Sequence, residues 1–247
     1  NISREFLKVN PAATVPVLLH NAHPVYESHE QLNYVASVVD QTGLLVPQDA
    51  QLRQVMDVWV HKTSLLGDDP IDSPEATAGN AVPGLTVPIF AAMLASIPTA
   101  KIVEGLLFHR IKKRALFFLL MKHRGLLKTL ALKPVAGVLN RSAKAMTAHL
   151  HELELQLVSS GGPWICGDQF TLADVGMMVI FDRLREGDWL HLLVHHRPAL
   201  DAYWTALQQR PSYQAGCADF VHPAVAEATM ELAALKQADH WPPGIPR

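Results

Sequence analysis

The sequence predicts a small α/β unit at the N-terminus joined to a larger all-helical domain, and three features carry that prediction. In residues 14–28, TVPVLLHNAHPVYES, two short apolar and β-branched runs, Val15 to Leu18 and Pro24 to Tyr26, flank a polar turn at His20 to His23. That is the pattern of a hairpin. From Leu52 onward apolar residues recur at helical spacing, starting with Leu52, Val55, Met56 and Trp59, and everything that follows reads as helix or loop. Between the two lies a Leu44 to Asp49 linker containing Pro47. The chain has 247 residues, 49% of them apolar, which excludes a disordered protein and suits two modest cores.

The segment before the hairpin begins with a short helical piece, Ser3-Arg4-Glu5-Phe6-Leu7, and stops at Asn10-Pro11, because a residue before proline is pushed out of the helical region. Pro16, inside the first run, cannot donate to a ladder, so it belongs at an edge or where something other than a strand approaches. Free Val15 N–H and C=O groups there can pair with an extended peptide, and a cis Val15–Pro16 bond would hold them outward. Ser28 is placed as an N-cap, with Gln31 at the third helical position completing a capping box. A helix start beside an open strand edge favours a bound carboxylate. Leu32, Val35, Ala36 and Val39 then fall at the spacing of one buried helical face, and the helix is expected to end near Gly43.

Gly67 to Gly84 is rich in Asp, Pro, Gly and Ser and reads as a long acidic loop carrying Asp68, Asp69, Asp72 and Glu75. Residues 76–100 hold no charge, but Pro83, Pro88 and Pro98 argue against one continuous membrane-spanning helix. Lys101 to Met146 then contains eleven Lys or Arg and one acid, Glu104, interleaved with apolar runs such as Leu116 to Met121. Such a field attracts an anion: an acidic substrate, anionic lipid headgroups, or the chain's own acidic loop facing bases such as Lys112, Lys113 and Arg114. A helix over 143–158 places Ala143, Met146, Leu150, Leu153 and Leu157 on one face and ends at Gly161-Gly162-Pro163. Thr171 as N-cap and Asp174 at the third helical position form a second capping box, with Phe170 and Val175 spaced for a hydrophobic staple. Arg197-Pro198 starts another helix through Trp204, and Arg210-Pro211-Ser212-Tyr213 closes it.

The Val-Pro dipeptide followed by a hairpin and Glu-Ser at a helix start resembles the glutathione-binding half of the glutathione transferases. Two other segments are similar to the same family: the Phe-Leu-x-x-Asn-Pro lead-in at 6–11, and Gly-Asp-x-Phe-Thr-Leu-Ala-Asp at 167–174. The resemblance implies a thioredoxin-like N-terminal domain, seen from its second half over residues 1–43, a linker at 44–50, and an all-helical domain over 51–247 with a basic insertion at about 76–142. It also implies roles. Val15, ahead of Pro16, would pair its backbone with the cysteinyl unit of glutathione, while Glu27 and Ser28 would hold the γ-glutamyl amino and carboxylate groups. A carboxylate suits an ammonium, and a serine with free helix-start amides suits a carboxylate.

The family's thiol-engaging Tyr, Ser or Cys lies in a stretch ahead of the segment present here, so no catalytic residue can be named and further N-terminal residues are expected. The implied activity is transfer of the glutathione thiolate to a small electrophile, with glutathione as co-substrate, and such sites place the acceptor between the domains. The helix from Leu52 and the basic insertion are candidate walls. A homodimer in the cytoplasm is expected. The alternative is a non-catalytic relative that docks on a membrane or partner through the insertion.

Other chemistries find little support. A net charge of -2 makes no general case for nucleic acid. Cys166 and Cys217 have no paired spacing, which suits a reducing compartment, and Cys166 lacks a basic neighbour that would activate it. His191 and His195 are four apart but have no matching carboxylate, so no metal site is expected. The sequence starts at Asn1 with no charged-then-apolar leader, so no signal peptide is expected.

Overall fold

The computed structural model describes residues 4–12, 14–40, 42–94, 97–108 and 112–247, and the side chains of Lys113 and Arg114 and the Ser3 start of the first helix lie outside the described residues. Among the described residues the structure is about 66% helical and its sheet has two strands, so the expected class, a small α/β unit followed by a helical domain, is the one observed.

Helix α1, Arg4–Val9, leads into strands β1, Leu18–His20, and β2, His23–Val25. The strands pair antiparallel in the register Leu18↔Val25, Leu19↔Pro24 and His20↔His23. The turn is therefore only Asn21-Ala22, whose φ values of 50° and 63° match the type I′ geometry that suits a tight hairpin. Val15 and Val17 lie before the ladder, a correction to the longer strand expected from sequence. Pro16 has no N–H to contribute to a ladder. The Val15–Pro16 peptide is cis.

Helix α2 spans Ser28–Tyr34 and continues as one π-helical turn over Val35–Val39. That wider turn breaks the 3.6-residue spacing. Leu32 and Ala36 are accordingly half-buried, whereas Val35 and Val39 are 40% and 51% exposed. The helix stops at Asp40, short of Gly43, where the Asp40 carboxylate accepts from Thr42 N at 2.9 Å and Thr42 Oγ1 at 2.6 Å.

Helix α3, Ala50–Lys62, is capped by the Asp49 side chain and buries Met56, Trp59 and Val60, leaving Leu52 exposed. Sequence placed a loop through Gly84, but helix α4 occupies Ala78–Leu85, capped by Thr77 and with Pro83 inside it. The glycines mark close approach, not a break. A Cβ on Gly79 would lie 2.3 Å from the Ser64 carbonyl oxygen, and one on Gly84 2.0 Å from Ser142 Oγ. Asn80 completes the corner, bonding Leu66 N at 2.7 Å, Leu66 O at 3.1 Å and Ser73 O at 3.0 Å.

Helices α5, Val87–Met93, α6, Thr99–Phe108, α7, Lys112–Arg124, and α8, Leu126–Leu130, follow. Among the described residues no helix is long and apolar enough to cross a membrane. Helix α9, Lys133–Ser160, starts ten residues before the predicted one and buries all five predicted positions, Ala143, Met146, Leu150, Leu153 and Leu157. Gly161, at φ 71°, ends it in the left-handed conformation that glycine adopts without strain.

Helix α10, Leu172–Glu186, has the capping box between Thr171 and Asp174 and is buried along most of its length. Helices α11, Leu190–Leu193, α12, Pro198–Gln208, α13, Pro211–Gly216, and α14, Pro223–Gln237, complete the chain. Arg210-Pro211 thus opens a further short helix instead of merely closing α12. The core centres on α10. Phe181 stacks on Trp204 at 5.6 Å and meets Tyr203 edge-on at 5.7 Å.

Candidate functional site

The residues singled out in the sequence, Val15, Pro16, Glu27 and Ser28, lie in the chain before β1 and at the start of α2, next to the end of β2. Asn10, 3% exposed, folds the lead-in onto itself. Its Nδ2 donates to Thr14 O and Thr14 Oγ1, both at 2.9 Å, and its Oδ1 accepts from Ala12 N at 3.0 Å. The Tyr26 hydroxyl donates to Val9 O at 3.1 Å, tying α1 to the residue after β2.

Gln31 is the junction. Its Nε2 donates to Pro16 O at 3.0 Å and to Val25 O at 2.9 Å, so one side chain on α2 holds both the Val15–Pro16 segment and β2. This corrects the first capping box. The residue preceding the helix is Glu27, and neither it nor Ser28 makes a side-chain cap. Gln31 has two carbonyls within reach and no longer turns back to the helix start. The sequence offered Ser-x-x-Gln as its signal, which cannot distinguish reach toward the helix from reach toward a hairpin.

What the capping box would have satisfied is therefore left open. The first amides of α2 have no intrahelical partner, as at any helix start. Among the described residues no hydrogen bond reaches the Val15 N–H or C=O, the Glu27 carboxylate or the Ser28 hydroxyl. Val15 is 54% exposed. Glu27 has φ 59° and ψ 126°, a backbone conformation that a residue with a Cβ adopts at a cost of about 1–3 kcal/mol, and such outliers concentrate where function fixes them. Its carbonyl accepts from Gln31 N at 3.0 Å, so the strained residue also starts the helix. The arrangement can hold an extended ligand with an amide near Val15, a cation at Glu27 and an anion at the α2 amides.

The strain yields a prediction. Glu27→Gly relieves it, partly offset by glycine's greater chain entropy, and is expected to leave the fold equally stable or about 1 kcal/mol more stable. Glu27→Ala, which keeps the Cβ, gains nothing. Urea melts of the two variants compare them directly, and equal destabilisation by both would remove the strain argument.

Residues 140–215 match the family model described as the C-terminal domain of glutathione S-transferase. That stretch, from the middle of α9 into α13, is thus similar to the C-terminal domain of the glutathione S-transferases. The chain is 23% identical over 213 residues to the glutathione S-transferase TCHQD of Arabidopsis thaliana, covering 85% of this chain and 72% of that one. Among solved structures it is similar to the β-etherase LigF of Sphingobium sp. strain SYK-6, with a TM-score of 0.61, 20% identity and coverage of 93% and 83% of the two chains. It is also similar to glutathione S-transferase III in its apo form, with a TM-score of 0.57, 21% identity and coverage of 88% and 78%. These likenesses support the family resemblance read from Val-Pro, Glu-Ser and Gly-Asp-x-Phe-Thr-Leu-Ala-Asp, and members of this family use glutathione as co-substrate.

The remaining sequence candidates resolve simply. Cys166 is buried and free, and burial pushes its thiol pKa up, away from a reactive thiolate. His191 Nδ1 lies 3.7 Å from Asp188 and His195 Nδ1 2.6 Å from Asp201, so the two histidines face separate carboxylates. No metal-binding group of three or more such side chains occurs among the described residues. A cavity of about 480 Å³ lies between α3 and α9, lined by Asp57, His61, Lys62, His149 and Glu152 among others. Sequence proposed α3 as a wall of an acceptor pocket, but this cavity shares no residue with the hairpin or α2.

Proposed function

We propose that this chain binds glutathione at Val15, Pro16, Glu27 and Ser28 and serves in transferring its thiolate to an electrophilic small molecule. The observation that carries the reading is the Gln31 side chain, which ties the Pro16 carbonyl to the start of α2 and so brings a free backbone edge and a free helix start together. An extended tripeptide would pair its cysteinyl amide with Val15. Its γ-glutamyl ammonium would meet the Glu27 carboxylate, and its α-carboxylate would meet the Ser28 hydroxyl and the first amides of α2. Binding positions the thiol against the acceptor; the thiol gives its proton to solvent, the thiolate sulfur forms a bond to the electrophilic carbon, and that carbon's leaving group departs with the pair of the bond that breaks.

In this reading residues 1–43 belong to the thioredoxin-like domain, 44–50 are the linker and 51–247 the helical domain. The linker's docking supports that division, since Leu172 N donates to Leu45 O at 3.2 Å and Gln169 Nε2 to Leu44 O at 3.2 Å. A homodimer, frequent in the family, and a cytoplasmic location belong to the same proposal, the latter in keeping with two free cysteines. Size-exclusion chromatography tests the former.

Glu27→Ala and Ser28→Ala are each expected to weaken glutathione binding by about 1–3 kcal/mol, the loss of a charge-assisted hydrogen bond. Both side chains sit at a helix end without internal partners, so thermal midpoints should hold. Isothermal titration reads the affinity, and unchanged binding in both variants overturns the site.

A further inference from the structure

The cavity of about 480 Å³ between α3 and α9 takes no part in the glutathione site, and its lining has a chemistry of its own. Two helices and a turn supply it. Asp57 and His61 are four residues apart on α3, and His149 and Glu152 three apart on α9, so each pair shares one helix face. Glu75 comes from the turn ahead of α4. That turn is tied down from two sides. Asn80 Nδ2 donates to Ser73 O at 3.0 Å, and His149 Nε2 lies 3.1 Å from Pro74 O, so the backbone that carries Glu75 is fixed against the cavity.

The polar groups of the lining are either engaged with one another or left as acceptors. Lys62 is ion-paired with Glu152 and lies 5.1 Å from the centre of the Trp59 ring, so it neutralises that carboxylate. Asp57 and Glu75 are exposed and make no hydrogen bond or ion pair among the described residues. A carbonyl only accepts, so His149 Nε2 carries the proton toward Pro74, and Nδ1 of the neutral ring is left as an acceptor. The cavity thus offers two unpaired negative charges and an acceptor nitrogen, while its lysine is already engaged. Val58 and Ala76 add aliphatic surface to the same lining. The carboxylates come from three separate elements, and no three His, Asp or Glu side chains among the described residues are grouped to hold one metal ion. A space of this size suits a small molecule. The occupant that matches has separated positive charges that donate hydrogen bonds, with methylene groups between them.

We propose that this cavity binds an aliphatic polyamine, with ammonium groups on Asp57 and Glu75 and the methylene chain against Val58 and Ala76. Two charge-assisted contacts made by one ligand, together with burial of its methylenes, favour a polyamine over a monoamine. Binding is reversible and weakened by salt, because both carboxylates are exposed. It is independent of the glutathione site, whose residues lie before β1 and at the start of α2.

Isothermal titration of the full chain with spermidine at low salt tests this. Wild type is expected to bind it saturably, and less tightly as salt is added. Asp57→Asn combined with Glu75→Gln should lower the affinity about tenfold or more, the loss of two charge-assisted hydrogen bonds. The thermal midpoint without spermidine should hold, since neither carboxylate has a partner in the fold. Glu227→Gln combined with Glu231→Gln removes the same charge from exposed positions on α14 and should leave spermidine affinity unchanged. Butylamine, with a single ammonium, should bind wild type about tenfold or more weakly than spermidine. No saturable heat from wild type, an equal loss in the α14 variant, or butylamine bound as tightly as spermidine overturns the proposal. Glutathione affinity should be the same in all three proteins, so failure here leaves the glutathione site standing.

Discussion

Replacing Asp174 by alanine is expected to destabilise the protein by about 3–5 kcal/mol, because it strands several buried hydrogen-bond donors at about 1–3 kcal/mol each. The side chain is fully buried and serves more than its capping box. Oδ2 accepts from Thr171 N at 2.9 Å and from Thr171 Oγ1 at 3.3 Å. Oδ1 accepts from Ile165 N at 3.1 Å and from the Tyr203 hydroxyl at 2.9 Å. One carboxylate therefore joins the 164–167 turn, the start of α10 and the middle of α12. Alanine would leave buried donors on all three without partners, each costing about 1–3 kcal/mol. Burial raises the Asp174 pKa above the ordinary carboxylate value even though four donors oppose the shift, which shows how strongly the site excludes water.

Graded variants separate the contributions. Tyr203→Phe removes a single donor and should cost about 1 kcal/mol. Asp174→Asn keeps the shape but turns a donor toward an amide, and should fall between the other two. Urea denaturation measures all three, with glutathione affinity per folded molecule expected to be unchanged. Turnover lost at an intact midpoint would instead place Asp174 in the chemistry.

Between about pH 8 and 10.5 the difference in stability between wild type and Lys236→Met should move in favour of wild type by roughly 3 kcal/mol, the free energy of the shift. Lys236, on α14, is 3% exposed. Its ammonium lies 3.6 Å from the Trp189 ring, donates to Gly187 O at 3.0 Å and to Asp188 O, and is 3.6 Å from Asp188 Oδ2. Burial lowers its pKa from 10.5 to about 8, partly opposed by Asp188. In the unfolded chain the lysine keeps its proton up to its ordinary value, so within that window the unfolded state binds more protons and stability rises with pH. Below about pH 8 this contribution is lost, because the folded protein then carries the buried charge.

Both cysteine thiols and the Tyr213 phenol are raised by burial and pull the absolute curve the other way at alkaline pH. The comparison with Lys236→Met cancels them. Denaturant midpoints for both proteins from pH 7 to pH 10 give the result, and parallel curves would show that Lys236 does not titrate in this window.

The features legible in the sequence were those set within one or two turns of chain. The buried face of α9 follows from leucine and alanine spacing, the Thr171–Asp174 box from a four-residue pattern, and the hairpin from a polar break between apolar runs, although its turn is two residues long and not the four from His20 to His23. Glu27 and Ser28 were found by pattern and remain together at the start of α2. The boundary errors also have local causes. The Gly79, Pro83 and Gly84 group looks like a loop until Ser64 and Ser142 are seen packed against those glycines, and the face of α2 is regular until the π-turn displaces it.

Sequence by itself determined a hairpin followed by a run of helices, the buried face of α9 and the capped start of α10, because periodicity and capping depend on near neighbours. Only the tertiary structure decided that Gln31 bridges Pro16 to Val25 and does not cap α2, that Asp174 also holds Tyr203, and that Lys236 is buried under Trp189. A side chain's choice among several possible partners depends on which distant elements packing brings within about 3 Å of it, and those partners lie 6 to 49 residues away along the chain.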